Sequence, residues 1–247
     1  MYKENPKTKG SGIICAIPQT GLCPNKCDDC FFQSGRSYLE PLEENLPNIP
    51  SEQEAEGRLV RVNDGNDSNY LREEVMAETG WPIRDFKMKF YNTAIPRNFE
   101  KFDAPIVLTI NPGKRTDESF YGFNDHQIPK NLMFVRFRTN TWNLELLDRA
   151  VEYYSFKEIP IVLTFMAYFT LFVRPGHEKN YITRKRTLNS YWAITTEAWE
   201  KVMSKYKYNK WVYSCGKIEG EKGTSGCRHC GNCLREYFAT MERMREI

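Results

Sequence analysis

Short apolar runs recur along the chain, and each is followed by a polar loop or turn. Within them, Ile, Val, Leu and Phe are nearly continuous, which is typical of strands buried on both faces of a parallel sheet. This pattern predicts seven strands, over residues 11–17, 58–63, 86–91, 106–110, 132–137, 159–166 and 210–214.

Amphipathic helices are predicted between several of these strands. The clearest apolar stripe is formed by Leu144, Leu147, Val151 and Tyr154, and further helices are predicted near residues 52–56, over 70–79 and over 190–206. Strands that alternate with helices indicate an α/β fold of about six parallel β/α units and a final strand. In a barrel of such units, the loops at the carboxyl ends of the strands meet at one mouth, where we expect the functional site.

This pattern divides the chain into three parts. Residues 1–10 are polar and basic and are expected to form a flexible tail. Residues 11–207 are expected to form the barrel, and residues 208–247 a last strand, a cysteine-rich metal-binding loop and a helix. A chain of 247 residues is long enough to bury one core of this kind.

Composition and charge indicate an ordinary globular protein, since 40% of the residues are hydrophobic and 27% are charged. No apolar stretch is long enough to span a membrane, and residues 1–10 lack the apolar segment of a signal peptide. We therefore expect a cytoplasmic protein that does not bind a membrane. The net charge of +3 is too small to indicate a nucleic-acid partner and does not exclude one.

Seven of the eight cysteines fall into two groups. The first group has the spacing Cys-x3-Cys-x2-Cys and consists of Cys23, Cys27 and Cys30. The second group consists of Cys215, Cys227, Cys230 and Cys233. In a reducing compartment such groups are more often metal ligands than disulfides, and thiolates suit both zinc and iron-sulfur clusters. The remaining Cys15 lies in the first predicted strand and is interpreted as a small packed hydrophobic residue.

The first group resembles the signature of the radical S-adenosylmethionine (SAM) superfamily. The resemblance implies a partial (β/α)6 TIM-like barrel and a 4Fe-4S cluster held by Cys23, Cys27 and Cys30, with SAM bound to the unique iron. It also implies reductive cleavage of SAM to methionine and a 5′-deoxyadenosyl radical, which abstracts hydrogen from a substrate that the sequence does not identify. The electron would come from a donor such as a flavodoxin or ferredoxin.

The same resemblance assigns SAM-contacting positions. The loop after the second strand, where the family often has Gly-Gly-Glu, would receive the SAM amino group; its residues are Asn63, Asp64, Gly65, Asn66, Asp67 and Ser68. The positions that contact the SAM ribose and carboxylate would be Asn92, Asn111, Arg136 and Arg138. The alternative for each of these side chains is a hydrogen bond within a loop or at the end of a strand.

The second cysteine group has the triplet spacing of ferredoxin-type ligands, with Cys215 as a fourth thiolate. Through the resemblance it implies an auxiliary 4Fe-4S cluster, and a structural zinc ion is the alternative. The competing hypothesis for the whole chain is a non-catalytic protein that binds zinc or an iron-sulfur cluster. The basic run at residues 184–186 is interpreted as a solvated loop.

Overall fold

The computed structural model of the chain describes residues 1–18, 23, 25–27, 30, 32, 38–70, 83–111, 128–185, 190–216, 227 and 230–246. The strands in these residues are β1 (Ile13–Ala16), β2 (Leu59–Val62), β3 (Lys89–Thr93), β4 (Ile106–Ile110), β5 (Leu132–Thr139), β6 (Ile161–Phe165), β7 (Tyr181–Lys185), β8 (Ser190–Ile194) and β9 (Val212–Ser214). The helices are α1 (Leu42–Asn45), α2 (Glu52–Ala55), α3 (Leu144–Phe156), α4 (Thr196–Lys205) and α5 (Asn232–Arg245).

Seven of the strands form one parallel sheet that curls into a half-barrel. The strands lie side by side in the order β1-β2-β3-β4-β5-β6-β9, which is their order along the chain. Every neighbouring pair is parallel, so the carboxyl ends of all seven strands lie at one edge of the sheet. The predicted parallel α/β fold is thus confirmed, and each of the seven predicted strands is present with slightly different ends.

Different helices cover the two faces of the sheet. On one face, residues such as Val60, Ile106 and Ile161 pack with the apolar stripe of α3 and with Val202 of α4. The connecting helices of β/α barrels lie outside the sheet, so this is the outer face. On the inner face, a second cluster that includes Phe134 of β5 packs against Tyr237 and other side chains of α5. Burial on both faces explains why the strands have nearly continuous apolar sequences.

One predicted helix is wrong in its first third. The helix expected over residues 190–206 begins only at Thr196, because Ser190–Ile194 forms the antiparallel hairpin strand β8 with β7. The sequence Ser-Tyr-Trp-Ala-Ile is rich in residues that favour strands. Thr195 then caps the helix, since its hydroxyl accepts a hydrogen bond from the Ala198 N–H at 3.2 Å. The hairpin also corrects the solvated loop expected at residues 184–186, since residues 184 and 185 belong to β7.

The first ten residues were expected to be a flexible tail, but several of them pack against the sheet. Asn5 and Thr8 are buried, and the Tyr2 hydroxyl donates to the Cys15 carbonyl at 2.8 Å. The Lys7 carbonyl accepts from the Cys227 N–H at 2.9 Å, which joins this segment to the second cysteine group. Polar side chains can be buried here because each finds a hydrogen-bond partner.

Two further predicted helices have different outcomes. The short helix near residues 52–56 is confirmed as α2, which has a complete capping box between Ser51 and Glu54. The helix predicted over residues 70–79 lies outside the described residues, apart from residue 70, which ends a 3-10 turn, Ser68–Tyr70. No helix in the described part of the chain has the length and apolarity needed to cross a membrane.

Candidate metal-binding sites

The first cysteine group lies in the loop after β1, at the carboxyl edge of the sheet. Cys23 is buried, whereas Cys27 and Cys30 are half-buried. The chain turns back at Lys26, whose φ of 43° is left-handed and whose N–H donates to the Cys23 carbonyl at 3.4 Å. This turn brings the backbones of the first two cysteines together.

The Cys27 sulfur accepts hydrogen bonds from two side-chain amides. Asn25 Nδ2 donates at 3.2 Å and Asn111 Nδ2 at 3.3 Å. Asn111 follows β4, and its Oδ1 accepts from Nη1 of Arg138 on β5 at 2.6 Å. Hydrogen-bond donors around a sulfur favour the thiolate, which is the form that binds metals.

The three thiols of the first group interact electrostatically with one another, with Asp67 and with Arg138. Burial, together with the nearby charges of Asp67, Cys27 and Cys30, raises the pKa of Cys23 to about 11. Burial also raises the pKa of Cys27, and the Arg138 guanidinium opposes that shift. A cation shared by the three thiolates would replace their mutual repulsion with attraction.

The polar loop after β2 begins at Asn63, which is buried and has a left-handed φ of 58°. Its Nδ2 donates to the Ser68 hydroxyl at 3.1 Å, whereas its Oδ1 is buried with no hydrogen-bond partner among the described residues. A buried acceptor without a partner is costly for the fold. This atom is therefore the one in the loop best suited to accept a hydrogen bond from a ligand.

The same loop is fixed to its neighbours by Asp67 and Gly65. The Asp67 carboxylate accepts from the Thr93 hydroxyl and the Ala94 N–H, both at 2.7 Å, while burial raises its pKa. Its own N–H donates to Asn66 Oδ1 at 3.1 Å. A Cβ on Gly65 would come within 2.3 Å of the buried Phe32 ring, so only glycine allows this close approach. Phe32 follows Cys30 closely in the chain, and Cys30 packs against the small apolar cluster that Phe32 forms with Ile17 and Leu39.

Asp64 belongs to a buried polar cluster near the second cysteine group. Its Oδ2 accepts from Arg61 Nη2 and from Asn5 Nδ2, each at 2.7 Å. Cys15 lies opposite Arg61 in the sheet register, and its thiol donates to the same carboxylate oxygen at 3.3 Å. Cys15 is fully buried as predicted, but its surroundings include polar groups, with Thr8 as a further neighbour.

The four strand-end residues form two hydrogen-bonded pairs. Arg136 Nη1 donates to Asn92 Oδ1 at 2.9 Å, and Arg138 Nη1 donates to Asn111 Oδ1. The second pair adjoins Cys27. The first pair adjoins the second cysteine group, because Arg136 is one of the charges that lower the pKa of Cys215. The structure thus divides these predicted residues between the two groups.

The second cysteine group joins β9 to the start of α5, on the inner face of the half-barrel. Cys215 directly follows β9, and Cys233 lies in the first turn of α5. The Cys230 sulfur accepts from the Gly216 N–H at 3.3 Å. Asn232 Nδ2 donates to the Ser214 carbonyl at 2.8 Å, so the start of α5 is fixed to the end of β9.

Two arginines, the buried Arg61 and the half-buried Arg136, lie near this second group. The pKa of Cys215 is lowered, chiefly by a hydrogen bond with the Cys230 thiol and further by the positive charges of Arg136 and Arg61. Burial raises the pKa of Cys233 to about 12, although the positive charges of the same two arginines act to lower it. The guanidinium groups favour negative charge on the sulfurs, as thiolates bound to a metal would carry.

No group of three or more Cys, His, Asp or Glu side chains within the described ranges has the geometry of a metal site.

Sequence reasoning missed Arg61, Asn5 and Asn25. Arg61 carried a signal, because a charged residue between Val60 and Val62 in a strand buried on both faces has to find a buried partner. Asn5 and Asn25 gave no such signal, since asparagine is ordinary in polar segments.

No protein-family model, curated protein or solved structure matches this chain.

Proposed function

We propose that this protein is a radical SAM enzyme in which Cys23, Cys27 and Cys30 hold a 4Fe-4S cluster at the mouth of the half-barrel. The observation that carries the proposal is the hydrogen-bonded chain from Arg138 through Asn111 to the Cys27 sulfur. It joins the three-cysteine loop after β1 to the carboxyl ends of β4 and β5. This is the edge of a parallel β/α sheet at which cofactors and substrates bind.

The chemistry of these side chains fits a three-thiolate cluster. Three thiolates leave one iron open for SAM, and the amides of Asn25 and Asn111 supply hydrogen bonds to a ligand sulfur, which raise the reduction potential of a cluster. When bound, the cluster and SAM supply one-electron cleavage of the SAM carbon–sulfur bond, giving methionine and a 5′-deoxyadenosyl radical that abstracts hydrogen from the substrate.

Two side chains are the best candidates to orient SAM. Asn63 Oδ1 is the buried acceptor that would receive a hydrogen bond from the SAM amino group. Arg138 offers a guanidinium beside Cys27 that would pair with the SAM carboxylate. The remaining loop residues, Asp67 and Ser68, hold Asn63 and the end of β3 in place through their hydrogen bonds.

The second group would bind a metal centre with all four thiolates supplied by the protein. Four thiolates suit an auxiliary 4Fe-4S cluster and a structural zinc ion. Arg61 and Arg136 support the net negative charge that either centre would carry. Because the protein would supply all four ligands, no position is left for SAM. This centre would therefore hold the C-terminal segment in place or pass electrons.

The test is anaerobic purification, analysis of iron, sulfide and zinc, and measurement of 5′-deoxyadenosine after addition of SAM and dithionite. We expect iron and sulfide in the wild type and formation of 5′-deoxyadenosine. Cys27→Ala should lose the iron of the first group and all SAM cleavage, because two thiolates cannot hold the cubane. Cys15→Ala is the matched control, since Cys15 is a buried cysteine outside both groups.

Zinc without iron, and no 5′-deoxyadenosine from the reduced wild type, would overturn the enzyme proposal in favour of a non-catalytic zinc-binding protein. Iron with no SAM cleavage would instead favour an electron-transfer protein.

A further inference from the structure

Aromatic and basic side chains alternate on a surface at the amino ends of β6 and β9. The stretch from Lys205 to Trp211 reads Lys-Tyr-Lys-Tyr-Asn-Lys-Trp and precedes β9. The end of α3 lies beside it, because Asn209 Nδ2 donates to the Ser155 hydroxyl at 2.9 Å. We call this surface the amino-end patch; its residues are Tyr153, Phe156, Lys157, Lys205, Tyr206, Lys207, Tyr208, Lys210 and Trp211.

Each lysine of the amino-end patch lies over an aromatic ring. The ammonium-to-ring distances are 4.6 Å for Lys207 and Tyr208, and 4.9 Å for Lys210 and Trp211. They are 5.6 Å for Lys157 and Tyr153, and 5.9 Å for Lys205 and Tyr206. The patch therefore presents cations and π-faces together, at the end of α3 and along residues 205–211.

Two large aromatic rings of the patch are exposed to solvent. Tyr208 is 90% exposed and Phe156 is 84% exposed. Tyr208 lines an open surface cavity of about 590 Å³, together with residues 205–206 and 209–211. Exposed rings next to a basic cavity leave π-faces accessible to a flat partner.

The charge of the patch is positive. Residues 201–211 contain four lysines and no acidic residue. Asp148 pairs with Lys205 and accepts a hydrogen bond from the Tyr206 hydroxyl at 2.5 Å, so these two residues are held in place. In the described part of the chain, neither Lys207 nor Lys210 forms an ion pair. These two ammonium groups are the ones placed to meet an anion.

We propose that the amino-end patch binds single-stranded nucleic acid, with Lys207 and Lys210 on phosphates and the rings of Tyr208 and Phe156 stacked on bases. Lysines that track a phosphate backbone and exposed aromatic rings that stack on unpaired bases are the combination with which proteins bind single strands. A duplex hides its bases from such rings, so the patch favours a single strand. The patch lies at the opposite edge of the sheet from both cysteine groups, and binding there needs no metal.

The test is fluorescence anisotropy with a labelled oligouridine of about 12 nucleotides, at low salt, using the full chain. We expect binding at least about tenfold tighter than to a duplex of equal length. Tyr208→Ala should weaken binding about tenfold through the loss of one stacked base. Lys207→Glu combined with Lys210→Glu should also reduce the salt dependence of log K, by about 0.7 for each lysine removed. These side chains are on the surface, so the variants should melt at the wild-type temperature.

The matched control is Phe172→Ala combined with Lys185→Glu, which removes an exposed phenylalanine and a lysine from the loop and hairpin after β6. This variant should bind oligouridine like the wild type. The proposal is overturned if oligouridine does not bind, or if only the Phe172 and Lys185 variant loses binding. It is also overturned if polyglutamate of equal charge competes as well as oligouridine and Tyr208→Ala has no effect, since the patch would then serve an acidic protein. The measurement uses neither SAM nor a metal, so its result is independent of the radical SAM proposal.

Discussion

The two cysteine groups differ in what they connect. The first lies within one loop after β1, and its hydrogen bonds reach Asn111 at the end of β4. The second joins three distant parts of the chain, because Cys215 follows β9, Cys233 lies in α5 and the Cys227 N–H donates to the Lys7 carbonyl. A metal ion at the second group would cross-link the fold, whereas one at the first would fix only a loop.

The charges around the two groups differ as well. The first group has one acidic and one basic neighbour, Asp67 and Arg138. The second has two arginines, the buried Arg61 and the half-buried Arg136. Arg61 also pairs with Asp64 in the loop after β2. From this difference we expect a metal centre at the second group to contribute mainly to stability, and one at the first group to contribute mainly to chemistry.

Removal of the metal from the second group is expected to have the largest effect on stability. Cys230→Ala should lower the free energy of unfolding by at least about 3 kcal/mol. A metal ion shared by Cys215 and Cys230 would close the loop between them, and a cross-link of such a loop contributes about that much. Cys27→Ala should change it much less, although both variants lose one thiolate. Urea unfolding under anaerobic conditions, with metal analysis of each variant, measures the difference. Equal losses of stability in the two variants would remove the distinction between the groups.

A stepwise titration with a chelator provides the same comparison without a mutation. If the melting temperature falls as the metal leaves Cys215 and its neighbours, and not as it leaves the first group, the cross-link is supported. A fall that follows metal loss from the first group alone would contradict it.

Arg61→Met tests the buried polar cluster around Asp64 and is expected to have the next largest effect. The substitution leaves the Asp64 carboxylate in a mostly buried position without its cation, which should cost about 3 kcal/mol. Arg58→Met is the matched control, because its ion pair with Glu4 lies nearer to solvent and should contribute about 1 kcal/mol or less. Chemical denaturation of the two variants measures this difference. A loss from Arg61→Met no larger than that from the control would show that the more buried ion pair does not stabilise the fold more than the exposed one.

The sheet could be predicted well from the sequence, because the apolar run that indicates each strand is a local pattern. Nearly continuous apolar runs such as 106–110 require burial on both faces, and only a parallel sheet covered on both sides supplies it. The hairpin formed by β7 and β8 was missed, because Tyr191, Ile194, Ala198 and Val202 also fit a helical spacing. Pairing with β7, which depends on tertiary structure, decides between the two conformations.

The cysteine groups could be identified from their spacing, but their surroundings could not. Nothing local in the sequence indicates that Asn111 donates to Cys27 across the sheet, or that Arg136 and Arg138 would serve different groups. These contacts depend on the register between strands that are distant in the chain. The same holds for Asn5, whose burial depends on how the first ten residues pack.

Gly65→Ala is expected to have a smaller effect on stability than Arg61→Met, and it acts on the first group alone. The added Cβ would overlap the Phe32 ring at 2.3–2.6 Å, so Phe32 or the loop after β2 has to move, at a cost of about 1–3 kcal/mol. Because Cys30 packs against the apolar cluster that contains Phe32, the shift should disturb the first cysteine group and lower its iron content and the rate of SAM cleavage.

Gly57→Ala separates this effect from simple backbone strain. Gly57 has a left-handed φ of 68° and open space where a Cβ would lie, so alanine there should cost roughly 1 kcal/mol and leave the iron content unchanged. Iron analysis and urea unfolding of the two variants, measured side by side, make the comparison. If both variants retain full iron and SAM cleavage, the contact between Gly65 and Phe32 does not position Cys30. If both variants lose iron equally, iron binding at the first group depends on the stability of the whole fold. The proposed difference between the two cysteine groups would then be contradicted.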